Sequence, residues 1–198
     1  MTDPTQTGPR RRSPVWRDAV ATLTRLEPVG SEQAELRRAY LDALADDTAV
    51  FRTGPAAHLT ASCIVFDHRS ERVLLTLHAK AGAWLQFGGH LEGSDPTLYA
   101  AAQREVREES GIDAVRVDPR VLELHRHGLG ARFGRCAEHL DVRFAGWAPP
   151  GAEPQRSPES LDVRWWPVTA LPAGVAGDLG GLIRRGQELA AERVTTRG

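Results

Sequence analysis

Apolar residues recur along this chain with two different periods. From about Val15 to Leu26, and again from about Ser31 to Leu44, they return every three or four positions, and Leu36, Tyr40 and Leu44 line up at helical spacing in the second stretch. Beyond residue 55 the pattern changes to that of strands. HLTASCIVFD reads as a buried strand, HRSER as a turn and VLLTLH as the next strand. WLQF is a short strand and GGHLEGS a glycine-rich loop leading into a helix that ends at Gly111. AVRV, RVLELHRH and HLDVRFAGWA follow as strands, PPGAEPQRSPES as a long irregular connection, and LDVRWWPV as a last strand. From about Gly177 to Val194, Leu179, Leu182, Ile183 and Leu189 fall near one face of a terminal helix. Strands interrupted by one central and one C-terminal helix predict a mixed α/β sandwich.

This organisation predicts a flexible polar tail over 1–14, a helical extension over 15–50 and one α/β domain over 55–194. The two N-terminal helices are too short to be stable alone, so they should pack on the domain or on a second subunit. Monomer and homodimer are both compatible with the sequence.

Composition narrows the class. Hydrophobic residues make up 41% and charged residues 26% of 198, with a net charge of −1. That is an ordinary balance for a globular protein and gives no general reason to expect nucleic-acid or membrane-surface binding. No apolar run is long enough to cross a bilayer, and the N-terminus lacks a hydrophobic leader. Cys63 and Cys136 form neither a disulfide framework nor a zinc pattern. A reduced, cytoplasmic protein is the expectation.

The central helix carries the chemistry. Asp95 suits its N-cap, Pro96 its first position and Gly111 the left-handed residue past its end. On a helical wheel Leu98, Tyr99, Ala101, Ala102 and Val106 form an apolar arc. Glu105 and Glu109 fall inside that arc and Glu108 at its edge. Like charges at these spacings repel, and the C-terminal end of a helix is its negative pole, so each acid is disfavoured there by roughly 0.3–1 kcal/mol. Arg104 and Arg107 compensate only in part. A structural ion-pair network is one explanation; a hard divalent cation, Mg²⁺ or Mn²⁺, accounts better for three acids converging inward. The Gly88–Gly89 backbone could approach such a ligand closely and add a carbonyl oxygen.

From Gly89 to Ile112 the chain resembles the Nudix box, G-x5-E-x7-R-E-U-x-E-E-x-G-U, where U is bulky and aliphatic. Arg104, Glu105, Val106, Glu108, Glu109, Gly111 and Ile112 fill its second half without a gap. In the first half Asp95 stands for the expected glutamate, and eight residues rather than seven separate it from Arg104. The resemblance implies an α/β/α sandwich that hydrolyses a diphosphate linkage, usually in a nucleoside diphosphate joined to another group. It implies Glu105, Glu108, Glu109 and the Gly89 carbonyl as metal ligands, with Arg104 orienting Glu105. The proton acceptor is then Glu105 itself or an acid on a later loop. Glu159, just before the last strand, is chosen for that acid, with Asp141 as rival. The same family resemblance leaves open a ligand-sensing module without turnover, and an enzyme like isopentenyl diphosphate isomerase.

Other polar positions are candidates for substrate contact. His90 follows the two glycines, His139 and Asp141 share a strand face, and so do His125 and His127. Such pairs could form a polar pocket wall or a second metal site. Trp84, Trp147, Trp165 and Trp166 could stack on a base, although of the adjacent pair Trp165 and Trp166 one should be core. GLGARFG is only a loose dinucleotide-binding fingerprint and is discounted.

Overall fold

The computed structural model describes residues 12–130 and 134–195. The order of elements is α1 (Pro14–Arg25), α2 (Gly30–Ala43), β1 (Ala57–Phe66), β2 (Arg72–His78), β3 (Ala83–Leu85), β4 (Phe87–His90), α3 (Leu98–Ser110), β5 (Arg116–Val117), β6 (Glu123–Gly128), β7 (Glu138–Trp147), β8 (Ser160–Pro167) and α4 (Leu179–Thr195). β1 and β7 pair in parallel along their whole length, from Ala57 opposite Glu138 to Phe66 opposite Trp147. The other pairings between these strands are antiparallel: β2 and β4 with β1, β3 and β8 with β2, β5 and β6 with β7. Among the described residues no helix is long and apolar enough to cross a membrane.

Strand alternation sends one set of side chains to each face of this sheet. Leu59, Ala61, Cys63 and Val65 of β1 face a core completed by α1, α2 and α3. Ile64 and Phe66 face a second core closed by Leu179, Leu182, Ile183 and Leu189 of α4. The result is the expected α/β/α sandwich. Trp165 packs against the first core and Trp166 against the second, as adjacent strand residues must.

The helical extension is a brace on the sheet. Val15, Ala19, Leu23 and Tyr40 are fully buried in the first core. Asp18 of α1 accepts the Leu98 N–H at 2.8 Å, which places a carboxylate at the positive end of α3. Among the described residues the outer edge of β6 has no strand neighbour. Gln33 of α2 substitutes for one: its amide donates to the Leu124 carbonyl at 2.9 Å and accepts the Leu124 N–H at 2.8 Å. The Tyr40 hydroxyl is shared between the carbonyls of His125 and Asp141.

Three local expectations are corrected. α3 starts at Leu98 with Thr97 as N-cap, its hydroxyl accepting the Ala100 N–H, so Asp95 does not cap it. Ser13 caps α1 through the Trp16 N–H, so helix geometry begins inside the stretch assigned to the tail; residues 1–11 lie outside the described residues. The Gly88-Gly89-His90 run belongs to β4, opposite Ser62, Ala61 and Thr60, rather than to a loop. Glycine permits this because a Cβ on Gly88 would come within 2.3 Å of Ser62 Cβ. GLGARFG falls partly outside the described residues.

Since Gln33 satisfies both backbone groups of Leu124 on the free edge of β6, Gln33→Ala should leave that buried donor and acceptor unpaired. Chemical denaturation should show a loss of about 1–3 kcal/mol; an unchanged midpoint would mean that the edge is satisfied in another way.

Candidate functional site

The acids of α3 sit where the helix passes over β4. Glu105 and Glu109 are largely enclosed, whereas the Glu108 side chain is 58% exposed. A Cβ on Gly89 would lie 2.7 Å from a carboxylate oxygen of Glu105, so only glycine lets that carboxylate rest against the strand. The Gly88 N–H donates to Glu109 at 3.0 Å. Gly111, at φ +67°, ends the helix directly after these residues.

One guanidinium serves two of the three acids. Arg104 donates to Glu105 at 2.9 Å, to Glu108 at 3.1 Å and to the His90 carbonyl at 3.0 Å. It also holds Asp95 in a fork, at 3.1 and 2.9 Å. Asp95 in turn accepts the Glu92 N–H at 2.8 Å. The residue that departs from the box pattern therefore fixes the arginine within it, and its shorter side chain still reaches.

This positive charge does not suffice. Burial lifts the Glu105 carboxyl to about 7, with Arg104 opposing the rise and Glu108 and Asp95 adding to it. Burial lifts Glu109 to about 8, against the Gly88 N–H and with help from Glu105, Glu159 and Glu108. Two carboxyls kept partly protonated at neutral pH, beside a third acid and a strand carbonyl, form a donor set that suits a hard divalent cation. Glu159 is an exposed turn residue before β8, near enough to Glu109 to act on its charge.

On the α4 side of the sheet, a cavity of about 340 Å³ opens beside Gly88 and Gly89. Its wall is a polar strip laid across β1, β7 and β6 by register: Thr60 lies opposite Asp141, Ser62 opposite Arg143, His125 opposite Asp141 and His127 opposite His139, while Glu123, opposite Arg143, lies outside the lining. Asp141 accepts from Thr60 at 2.9 Å, from Ser62 at 2.7 Å and from Arg143 at 3.0 Å, which holds its carboxyl below the usual range despite complete burial. Arg143, enclosed itself, also pairs with Glu123 at 3.0 Å and Asp178 at 2.6 Å and donates to His125 at 2.9 Å. Burial lowers His139 to about 3 and His90 to about 4, so both rings are neutral at physiological pH.

The structure thus brings Gly89, Arg104, Glu105, Glu108 and Glu109 together, with Glu159 nearby. His139 and Asp141 line the cavity, whereas His90 sits behind its wall, in ring contact with His58 and His139. Sequence reasoning passed over Asp95 as a partner of Arg104, and over Glu123, Arg143 and Asp178 altogether. The alternation that put His139 and Asp141 on one face also reaches Arg143 two residues on; Asp178, at the head of α4, carries no such signal.

Comparison with known proteins agrees with this geometry. The sequence profile of the NUDIX domain matches residues 56–185. Phosphatase NudJ of Escherichia coli (strain K12) is 45% identical over 60 residues, which cover 29% of this chain and 37% of that protein. The chain therefore matches little more than a third of the curated relative. Among solved structures, the NUDIX domain of Shewanella oneidensis NrtR, complexed with ADP ribose, superposes with a TM-score of 0.54 at 22% identity, over 75% of this chain and 97% of that one. A C. elegans Ap4A hydrolase gives 0.53 at 16% identity, over 67% and 98%. At these identities the superpositions speak for the fold alone. The profile, spanning both the sheet and the acidic helix, goes further: this chain belongs to the NUDIX domain family.

Proposed function

We propose that the chain is a metal-dependent hydrolase of a diphosphate linkage, in a nucleoside diphosphate joined to another group. The observation that carries this reading is the pair of enclosed carboxyls, Glu105 and Glu109, held at the end of α3 with too little positive charge to ionise fully. The ADP ribose in the NrtR domain and the dinucleotide named for the C. elegans enzyme support the substrate class. Residues 55–194 would carry the activity and 15–50 would brace it.

Glu105, Glu108, Glu109 and the Gly89 carbonyl would hold Mg²⁺ or Mn²⁺. Bound there, such a cation supplies neutralisation of the diphosphate charge and polarisation of its phosphoryl groups and of water. The remaining work belongs to the chain. Arg104, locked by Asp95, keeps Glu105 turned toward Gly89. Water adds to phosphorus, the bond from that phosphorus to the bridging oxygen breaks, and a carboxylate takes the water's proton. Glu159 is assigned as that acceptor, because it is exposed and within electrostatic reach of Glu109. Asp141, the rival, has its oxygens engaged by Thr60, Ser62 and Arg143. Asp141 and His139 are assigned to the wall against which the rest of the substrate lies, with His90 behind them.

Turnover of ADP-ribose, dinucleoside polyphosphates, nucleotide sugars and nucleoside triphosphates with Mg²⁺ or Mn²⁺ tests the proposal. Glu109→Gln should lose on the order of 100-fold or more in kcat and keep its fold. Full activity in chelator, or in that variant, would sink the reading; tight binding of one of these nucleotides without cleavage would make the domain a sensor.

Glu159→Gln should lose most of its turnover with nearly normal Mg²⁺ affinity, whereas Glu105→Gln should damage both. A Glu159→Gln enzyme with wild-type kcat would return the proton to Glu105.

The raised carboxyls also set a pH dependence. Their neutral forms are favoured in the fold, so the cost of ionising them is absent below the ordinary value of 4.5 and grows until about 8. The metal-free protein should therefore lose thermal stability as pH rises from about 5 to about 8. Glu109→Gln should flatten that slope. Mg²⁺ must displace the same protons, so its affinity and its stabilising effect should grow over this window; a metal-free melting temperature that climbed with pH would contradict the assignment.

A further inference from the structure

Beside the cavity, whose lining His139 joins, His58 of β1, His90 of β4, Cys136 before β7 and His139 of β7 converge, and each has one metal-ligating atom within 4.8 Å of the others. The sheet register creates this cluster. His58 lies opposite His139, and Thr60, two residues along on the same face, lies opposite His90. The three imidazole centroids stand 5.0–5.3 Å apart. Ala137 and Glu138 both donate to the Ala56 carbonyl, which fastens the Cys136 segment beside the start of β1.

The chemistry of the nitrogens makes this more than ring packing. His58 Nδ1 lies 2.9 Å from the Pro55 carbonyl. A carbonyl can only accept, so the ring proton sits on Nδ1 and Nε2 presents a lone pair. His58 is fully buried, and that Nε2 has no hydrogen-bond partner among the described residues; neither has His139 Nε2. A buried polar atom without a partner costs about 1–3 kcal/mol. His90 Nε2 meets only the Cys136 sulfur, at 3.9 Å. A carbonyl that fixes the tautomer while the opposite nitrogen stays open is the usual arrangement of a metal-bound histidine.

We propose that His58, His90, Cys136 and His139 bind a borderline divalent metal, Zn²⁺ in class, at a closed structural site distinct from the carboxylates of α3. Three imidazoles and one thiolate form a complete tetrahedral set with no position left for substrate. Zn–N bonds of about 2.0–2.1 Å and a Zn–S bond of about 2.3 Å bring ligand atoms closer together than they stand here, which modest side-chain rotation achieves. The site ties β4, and with it Gly88 and Gly89, to β1 and to the segment entering β7. The two metal sites sort by chemistry: oxygen donors on the α3 side select a hard cation, nitrogen and sulfur on the other side a softer one.

The experiment uses the full chain, stripped with chelator and held in excess Mg²⁺ to occupy the carboxylates, then titrated with Co²⁺ and with Zn²⁺. One equivalent of Co²⁺ should give tetrahedral visible bands together with a thiolate charge-transfer band, and Zn²⁺ should bleach both. Cys136→Ser should lose the charge-transfer band and bind Zn²⁺ on the order of 100-fold more weakly. It should melt like the wild type in chelator without gaining the rise that Zn²⁺ gives the wild type. Glu109→Gln should keep the cobalt spectrum, so failure of the proposed hydrolysis would leave this site standing. Absence of the charge-transfer band in the wild type, or Zn²⁺ uptake unchanged in Cys136→Ser and lost in Glu109→Gln, would overturn the proposal. The wild-type spectrum alone decides if a variant fails to fold.

Discussion

The rest of this molecule is arranged around enclosing two carboxylates at the negative end of a helix, in contact with a strand. The helix dipole, mutual repulsion and desolvation all oppose the arrangement, and each alone would favour an acid turned out to solvent. Arg104 offsets part of this, and only because Asp95 removes its freedom to swing away. The rest is left as raised carboxyl pKa values. Gly88 and Gly89 follow from the same constraint. A strand running under α3 must come within reach of Glu105, and any side chain at position 89 would displace that carboxylate. The αL residue Gly111 stops the helix before a further turn could bury the acids beneath more chain.

The two faces of the sheet solve different problems. The α3 face is continuous and apolar from α1 to β7, so the acids are held on a rigid platform. The other face is divided. α4 covers Ile64, Phe66 and Ala145, and packs closely enough that a Cβ on Gly186 would fall 2.4 Å from the Phe66 ring. Further along the same strands, the residues in line are Ser62, Thr60, His58, Arg143, Asp141 and His139. An apolar helix could not cover that strip without stranding a charge, so the cavity opens ahead of the first turn of α4, beside Asp178. Arg143 makes the strip tolerable by engaging three carboxylates at once; in a low-dielectric setting a half-satisfied network would cost more than an apolar wall.

What could be read from the sequence follows from this physics. The acidic helix was legible because its residues are contiguous and its acids lie three and four positions along from Glu105. The two-layer packing and the bracing helices were legible from period alone. Asp95 was misread because local capping preference competes with a tertiary partner, and the fork to Arg104 wins while Thr97 takes the cap. The glycines were misread as loop because their extended conformation depends on what lies above them. The grouping of His90 and His139 with His58 and Cys136 was not legible for another reason: they come from three strands and a connecting segment, and only cross-strand register, absent from a single sequence, brings them together.

The same register bears on where a proton could go. Asp141 occupies the centre of the polar strip, and its carboxylate is saturated by two hydroxyls and a guanidinium while its own charge is needed to balance Arg143. Protonating it would free that arginine's charge against His125 and leave Glu123 and Asp178 to hold it, a rearrangement of the whole wall for one proton. Glu159 carries no such obligation. Its backbone carbonyl accepts from Ala79, which fixes the turn, while its side chain stands in solvent with Glu109 in electrostatic reach. A group that must accept and release a proton in every cycle is better placed outside a saturated hydrogen-bond network. In the proposed reading the wall stays rigid, with Asp141 and Arg143 as fixed charges, and the proton is handled beside the α3 carboxyls, whose burial favours their neutral forms.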